Sequence, residues 1–100
     1  MTINVTNNGN AYDVNVDGVI KSVSDSQSIK DAVDSCVGQD VSVNLNIRNS
    51  FSVTSSVIGY LLKKVQADKM QIQINVYDDR LFELFKTLNL VEVLNVRNAA

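Results

Sequence analysis

The sequence predicts a two-layer α/β fold, with a mostly parallel sheet of four to five strands, an N-terminal hairpin and helices on one face. After the first two strand candidates, strands and helices alternate along the chain, which is the order of right-handed crossovers between parallel strands. The strand candidates at residues 41–47 and 70–76 alternate apolar with polar residues, as strands with a single buried face do. Strands buried on both faces are apolar throughout, so the second face of this sheet is predicted to be open. The uncharged Asn and Gln side chains on that face indicate either a solvated surface or an interface.

The chain opens with a pattern typical of a β-hairpin. Ile3 and Val5 alternate with polar residues, and residues 12–16 alternate in the same way. Residues 7–10 between them read Asn-Asn-Gly-Asn, a strong turn signal, so the two runs are predicted to pair as antiparallel strands. The dipeptide at residues 17–18, Asp-Gly, predicts a further turn or a bulge.

Three amphipathic helices are predicted. Ser24 and Gln27 have the spacing of a capping box at the start of the first helix, and Gly38 is predicted to end it. The second helix is predicted to start at residues 54–56, Thr-Ser-Ser, which are N-cap residue types. The predicted buried faces are made of apolar residues at helical spacing: Ile29, Ala32, Val33, Cys36 and Val37 in the first helix; Val57, Ile58, Leu61, Leu62 and Val65 in the second; Leu81, Phe82, Phe85 and Leu88 in the third.

The third helix is predicted to be capped by Asp78 or Asp79 and to end at Asn89 in the left-handed conformation. The two carboxylates also allow a metal or acid–base pair, but the helical pattern that follows favours a cap. The valines at residues 91, 93 and 96 predict a last short strand, and residues 97–100 carry no pattern.

Composition excludes several classes of function. The chain has 100 residues, enough for one domain. Its net charge is −2 and it has no long run of basic residues, so the sequence does not indicate nucleic-acid binding. With no histidine, serine–histidine and cysteine–histidine nucleophiles and most zinc sites are excluded, and we expect no enzyme activity, metal or cofactor. Cys36 is the lone cysteine, so no internal disulfide forms. Without a signal-peptide pattern or a long apolar run, we expect a cytoplasmic protein that does not insert into a membrane.

The hydroxyl run at residues 54–56 has two possible roles. A side-chain oxygen there can cap the second helix by accepting from its unpaired N–H groups. The same N-terminus carries partial positive charge, so a phosphate on one of these hydroxyls would also be favourably placed.

The order of elements and residues 54–59, Thr-Ser-Ser-Val-Ile-Gly, resemble the STAS domain family of bacterial anti-sigma factor antagonists. In that family a strand leads to an Asp-Ser-Ser-Gly-Leu-Gly-like motif at the start of the second helix. The resemblance implies that Ser55 is phosphorylated by a partner kinase, often an anti-sigma factor, and dephosphorylated by a phosphatase, so that partners are exchanged in transcription regulation. Thr54, Val57 and Lys21 depart from the residues usual in the family, and its fourth, C-terminal helix is expected to be absent or very short.

An ideal helical wheel makes Ser56 the second candidate for phosphorylation, because it points outward while Ser55 lies at the margin. The predicted docking surface is the loop at residues 48–53 together with the outer side of the second helix, where an exposed Tyr60 would be the aromatic anchor. Its predicted partner-binding residues are Arg48, Asn49, Ser52, Thr54, Ser56, Gly59, Tyr60 and Lys63.

The resemblance also leaves an alternative function open. Some STAS-like proteins are constitutive, unphosphorylated adaptor subunits that bind the ATPase of a membrane transporter assembly, and the altered Thr-Ser-Ser-Val run suits such a role. Either protein would be a monomer or a weak dimer. Replacing Ser55 with Asp distinguishes the two, because only a phosphorylation switch predicts that this change abolishes partner binding.

Overall fold

In a computed structural model, which describes residues 1–36 and 40–100, five strands lie in chain order in one sheet. The β1–β2 pair is antiparallel and the remaining pairs are parallel, so the predicted fold class is confirmed. The elements are β1 (Thr2–Asn8), β2 (Ala11–Asp17), α1 (Val23–Asp34), β3 (Ser42–Arg48), α2 (Ser55–Gln66), β4 (Gln71–Val76), α3 (Asp79–Thr87) and β5 (Val96–Asn98).

One face of the sheet forms the core with the helices. Val14, Leu45, Ile74 and Val96 are neighbours across β2 to β5, and each is buried. The helices cover this face with apolar side chains at the predicted spacing. The fully buried ones are Ile29 and Val33 of α1, Val57 and Leu61 of α2, and Leu81 and Phe85 of α3.

The opposite face carries a row of amides that crosses four strands, which we call the amide row. Asn75 donates to Asn46 (2.8 Å), Asn46 to Asn15 (3.0 Å) and Asn15 to Asn4 (3.0 Å), while Gln73 donates to Asn75 (2.9 Å). Asn46 is only 8% exposed, and these bonds satisfy the polar atoms that it buries. Cross-strand amide pairing therefore helps to hold the open face in register.

Glycine is required at both turns that the sequence predicts around β2. Gly9 is the first residue of the two-residue hairpin loop and has φ +73°, as a type II′ turn demands. Gly18 has φ +114°, and a Cβ atom there would lie 2.9 Å from the Cα of Met1. The chain can therefore leave β2 toward the helix layer only with glycine at this position.

The start of α1 differs from the prediction. The N-cap is Ser22, whose hydroxyl accepts from the backbone N–H of Asp25, while the Asp25 carboxylate accepts from the backbone N–H of Ser22. The predicted capping box of Ser24 and Gln27 is wrong because Asp25, three residues after Ser22, completes a box earlier in the chain. The predicted end of this helix is also wrong, because α1 ends at Asp34 with Ser35 as its C-cap, and Cys36 is buried beyond the helix. Val37 and Gly38, which were predicted to follow in the helix and to end it, lie outside the described residues.

The predicted last strand is also wrong in its bounds. Residues 91–95 form a turn, in which the backbone N–H of Leu94 donates to Leu90 O (3.0 Å) and that of Val96 to Val91 O (2.8 Å). Because of these local bonds, β5 begins only at Val96. It ends at Asn98, within residues 97–100, for which the sequence predicts no pattern. Asn89 does end the preceding helix with φ +58°, as predicted.

That turn decides which leucine is buried near the C-terminal end. Leu94 is 0% exposed, whereas Leu88, which was predicted to face inward from α3, is 46% exposed. Leu88 is the C-cap residue of α3, where the helical periodicity ends. No helix in residues 1–36 and 40–100 has the length and apolar character needed to cross a lipid bilayer.

Truncating these two leucines should have unequal effects on stability. We expect Leu94→Ala to lower the free energy of unfolding by about 2–5 kcal/mol, because it opens a cavity in the core. Leu88→Ala removes the same atoms from a half-exposed site and should lower it by less than about 1 kcal/mol. Urea denaturation of both variants measures the difference, and equal losses would contradict the burial described above.

Candidate functional site

The candidate site lies at the edge of the sheet where the parallel strands end and the helices begin. Because β2 and β3 are neighbouring parallel strands, the helices that follow them start side by side at this edge. A cavity of about 190 Å³ separates the two helix starts, and we call it the helix-start cleft. Its lining residues are Lys21, Ser22, Val23, Ser26, Gln27, Lys30, Thr54, Ser55 and Ser56.

A buried serine fixes the loop that leads into α2. The Ser50 hydroxyl, 1% exposed, accepts from the backbone N–H of Ile20 (3.1 Å) and donates to the carbonyl oxygen of Ser52 (2.7 Å). The Ser52 hydroxyl donates to the carbonyl oxygen of Ile20 (3.1 Å). The loops after β2 and β3 are therefore held together, and the Ser52 hydroxyl, predicted to contact a partner, is used within the fold. Nothing in the sequence pattern distinguishes Ser50 from an ordinary loop serine.

Thr54 is the N-cap of α2 and also joins the two helices. Its hydroxyl accepts from the backbone N–H of Val57 (3.2 Å) and lies 2.7 Å from the hydroxyl of Ser26. Ser26 is 2% exposed and donates to the carbonyl oxygen of Ser22 (3.0 Å). Sequence reasoning missed Ser26, although its spacing from Ile29 places it on the buried face of α1. Of the three residues 54–56, among which the sequence predicts a cap, the structure assigns that role to Thr54.

Two serine hydroxyls remain at the mouth of the helix-start cleft. Ser55 and Ser56 are both exposed and occupy the first two positions of α2. The Ser56 hydroxyl accepts a hydrogen bond of 2.6 Å from the Nζ atom of Lys30 in α1. Both predicted phosphorylation residues are therefore accessible, and the structure brings them together with a lysine of the neighbouring helix.

The electrostatic surroundings of these serines favour an anion. Of the three described helices, only α2 has no acidic residue in its first turn. The Asp25 carboxylate, in the first turn of α1, accepts from the backbone N–H groups of Lys21 and Ser22, and these bonds lower its pKa. Its charge is thus engaged at the start of α1, whereas the positive end of the α2 dipole faces a cleft that two lysines line.

Tyr60 is not the exposed anchor that the sequence predicted. The ring is half-buried, and its hydroxyl donates to the Asp34 carboxylate of α1. Burial and the negative charge of Asp34 raise the pKa of Tyr60, while the hydrogen bond from Tyr60 lowers the pKa of Asp34. Lys64, 3.2 Å from Asp34, completes a contact that fastens α2 to α1. Gly59 and Lys63 are exposed, as predicted.

Arg48 and Asn49 lie away from the outer side of α2. The Arg48 guanidinium is 4.4 Å from the ring centroid of Tyr77 and donates to Asn15 of the amide row (3.4 Å). Asn49 donates to the Asp17 carboxylate (2.8 Å). The predicted docking surface is therefore divided, because alternation along β3 directs Arg48 to the open face of the sheet.

Phe51 is an exposed aromatic residue of the predicted docking loop that is not among the predicted partner-binding residues. It lies in the loop between β3 and α2 and is 49% exposed, with the Arg80 guanidinium 5.0 Å from its ring centroid. Arg80 is held by Asp78 (2.7 Å), the cap of α3, and this contact lowers the pKa of Asp78 to about 2. The available sequence signal was a single aromatic residue in a polar loop. Val23, at the helix-start cleft, is 88% exposed.

Thr54 provides a test of the capping arrangement. We expect Thr54→Ala to lower the free energy of unfolding by about 0.5–2 kcal/mol, because the cap of α2 is lost. Thr54→Ser keeps a hydroxyl and should retain most of the stability. Chemical denaturation of both variants gives the comparison, and a Thr54→Ser loss as large as that of Thr54→Ala would rule out the capping role.

Removing the Tyr60 hydroxyl should change the pH dependence of stability. Because Asp34 has a lowered pKa in the folded protein, its contribution is complete above the unfolded value of about 3.8 and is lost as the pH falls below it. In Tyr60→Phe we expect the Asp34 pKa to rise toward that value, as measured by NMR titration. The stability difference from wild type should then shrink in acid. An unchanged Asp34 titration would contradict the contact.

The polar side chains that line the helix-start cleft carry hydroxyls, two amines and one carboxamide, that of Gln27. Within the two described segments, acidic and cysteine side chains form no group of three or more that could hold a metal ion. No model of a known protein family and no curated protein sequence matches the chain. A proposal for the function therefore depends on the geometry of the cleft and on the resemblance carried by residues 54–59.

Proposed function

We propose that the chain is a non-enzymatic binding module that exchanges protein partners through serine phosphorylation at the start of α2. The observation that carries this proposal is the placement of two exposed serines beside Lys30, at a helix start without a carboxylate. A phosphate adds about −1.5 to −2 charges and strong acceptor oxygens at neutral pH. The N–H groups of the first turn and the lysines of the helix-start cleft would hold that charge without refolding of the domain.

The two serines would respond differently to phosphorylation. Ser56 already contacts Lys30, so a phosphate there would be partly neutralised by the lysine. A phosphate on Ser55 would be presented to an approaching partner with its charge less compensated. This difference agrees with the family resemblance, which assigns the modification to Ser55, and Ser56 is the second acceptor in the proposal.

The docking surface in this proposal surrounds the helix-start cleft. Phe51 and Val23 offer exposed apolar area: Val23 lines the cleft together with the serines, and Phe51 lies in the loop that leads into α2. Aromatic side chains at the centre of an interface often contribute a large share of the affinity. Phosphate placed within such a surface would weaken the complex through repulsion and desolvation. Phe51 takes the anchor role that had been expected of Tyr60.

The identity of the partners rests on the STAS resemblance. It gives an anti-sigma factor or related serine kinase as the partner that phosphorylates the chain, and a phosphatase that reverses the modification. These partners place the protein in the cytoplasm of a bacterium, in transcription regulation. The helix-start cleft has only two lysines, so nucleic acid is not part of the proposal.

A constitutive adaptor of a transporter ATPase is the second candidate function. It is favoured by the structural roles of the residues that depart from the family motif. Thr54 caps α2 and Val57 is 0% exposed in the core, so the altered run is accounted for by folding alone. Under this alternative the same surface binds one partner permanently, and the serines are only part of its polar rim.

The phosphorylation proposal predicts a modified form of the protein in its own cells. We expect intact-mass measurement to reveal a species heavier by one phosphate under some growth or stress conditions, and fragmentation to place it on Ser55 or Ser56. The unmodified mass under all conditions would favour the adaptor instead.

Variants of Ser55 distinguish the effect of a negative charge on partner binding from the effect of losing the hydroxyl. We expect Ser55→Asp to reduce recovery of the co-purified partner at least about tenfold, a loss of about 1.4 kcal/mol, and Ser55→Ala to preserve it. Ser24→Asp places the same charge on an exposed serine of α1 and serves as the control. Phe51→Ala should reduce recovery under both candidate functions. Wild-type recovery with Ser55→Asp would reject a switch at this position.

A further inference from the structure

The outer edge of β1 is an open strand edge. β1 is the first strand in the sheet order, so β2 is its strand neighbour in the described sheet. Six of its seven residues are exposed and the seventh, Ile3, is half-buried. The register with β2 runs without a bulge from Thr2, opposite Asp17, to Asn8, opposite Ala11. The edge is therefore regular over the whole strand.

The hydrogen bonds of β2 identify the backbone groups that β1 leaves open. Asn10 O accepts from the N–H of Ser42, and the N–H of Gly18 donates to Arg48 O, so even-numbered positions of β2 point toward β3. Backbone groups alternate in direction along a strand, so the odd-numbered positions of β2 bond to the even-numbered positions of β1. The N–H and C=O groups of Ile3, Val5 and Asn7 consequently point outward.

This edge lacks the features that usually prevent strands from pairing between molecules. Proteins protect their edge strands with charges, prolines, bulges or very short strands. The sequence of β1, Thr-Ile-Asn-Val-Thr-Asn-Asn, contains no charged residue and no proline. At the opposite edge of the sheet, β5 has three residues and includes Arg97. One edge is thus protected by shortness and charge, whereas β1 is long, regular and uncharged.

We propose that β1 pairs antiparallel with β1 of a second copy of the chain, about a two-fold axis at Val5. In this register Val5 faces Val5 of the second copy, and Ile3 faces Asn7. These are the residues with outward backbone groups, so the whole of β1 is hydrogen-bonded across the axis. The two sheets become one continuous sheet of ten strands, with both helix layers on the same side.

The side chains of β1 favour a second copy over an unrelated strand. Val5, 39% exposed, would be covered by its own counterpart, an apolar β-branched pair of the kind that stabilises antiparallel strands. On the open face, Asn4 would lie opposite Thr6 of the second copy. Asn4 is the end of the amide row, so polar pairing would continue from one sheet into the next. With no charge on the strand, self-pairing brings no like charges together.

The arrangement has a consequence for the site at the helix starts. The helix-start cleft lies at the edge of the sheet where β2 and β3 end, near the N-terminal end of β1. Because the two β1 strands run in opposite directions, the two clefts would lie at opposite ends of the joined sheet. The dimer would therefore present two separate sites and leave both accessible, whatever ligand or partner they bind.

A charge-pair experiment tests both the dimer and its register. Sedimentation equilibrium of the wild-type chain should give a mass that rises with concentration from the monomer value of 11.0 kDa toward twice that value. Val5→Lys places two like charges opposite each other at the axis, and we expect its dissociation constant to be at least about tenfold higher; Val5→Glu should behave in the same way. An equimolar mixture of the two variants should recover the dimer. Val5→Thr, which keeps an uncharged β-branched side chain, is the matched control.

Four results would overturn the proposal. A wild-type chain that remains a monomer at millimolar concentration has no self-pairing edge. A dimer that is unaffected by Val5→Lys forms through another surface. Charged variants that are each monomeric but do not associate when mixed would show that Val5 does not lie on the axis. If the wild type is monomeric and Val5→Lys abolishes binding to a different protein, the β1 edge binds that protein and does not pair with a second copy of the chain.

Discussion

Burial of a single face of the sheet is the constraint on which the rest of the structure depends. Alternating residues of β2, β3 and β4 place valine, leucine and isoleucine against the helices, and amides on the other side. Since all three helices must cover the same face, each crossover has the same hand and each helix begins at the same edge of the sheet. The helix-start cleft is therefore a consequence of topology, because neighbouring parallel strands deliver two helix N-termini side by side.

Hydroxyl groups divide between structure and function at that edge. Ser26, Ser50 and Thr54 are buried or half-buried and join the loops and helices around the cleft. Ser55 and Ser56, the next residues in the chain, are exposed at its mouth. Internal hydrogen bonds thus hold the loops and helices around the two accessible hydroxyls. A modification site needs this arrangement if the added charge is to affect a partner and leave the fold unchanged.

The open face and the β1 edge show how uncharged polar residues can complete a sheet. Asn46 is almost completely buried although no helix covers this face, and its amide group is hydrogen-bonded to Asn15 and Asn75 on the adjacent strands. Such pairing needs no helix on that side, so the two-layer architecture is sufficient. The row ends at Asn4 on a strand that has a free edge, and this combination connects the polar face to the proposed dimer.

The sequence by itself determined the fold class, the order of strands and helices, and most of the apolar residues that form the core. It also indicated that α2 starts within residues 54–56, that an aspartate caps α3 and that Asn89 ends it. These features depend on residues close in the chain, where periodicity of two or 3.6 and the chemistry of a cap are sufficient. The accessibility of Ser56 followed from the same local pattern, whereas Ser55 lay at the margin of the helical wheel.

Only the tertiary structure decided the features that depend on distant residues. A helical wheel predicts that Tyr60 is exposed, but its hydroxyl donates a hydrogen bond to Asp34 of the neighbouring helix. Ser50 is buried because Ile20, thirty positions away, needs a partner for its N–H group. The last strand begins at Val96 and not earlier because a turn at residues 91–95 first buries Leu94. A local pattern records which side chains can be buried, whereas contacts between distant segments decide which of them are.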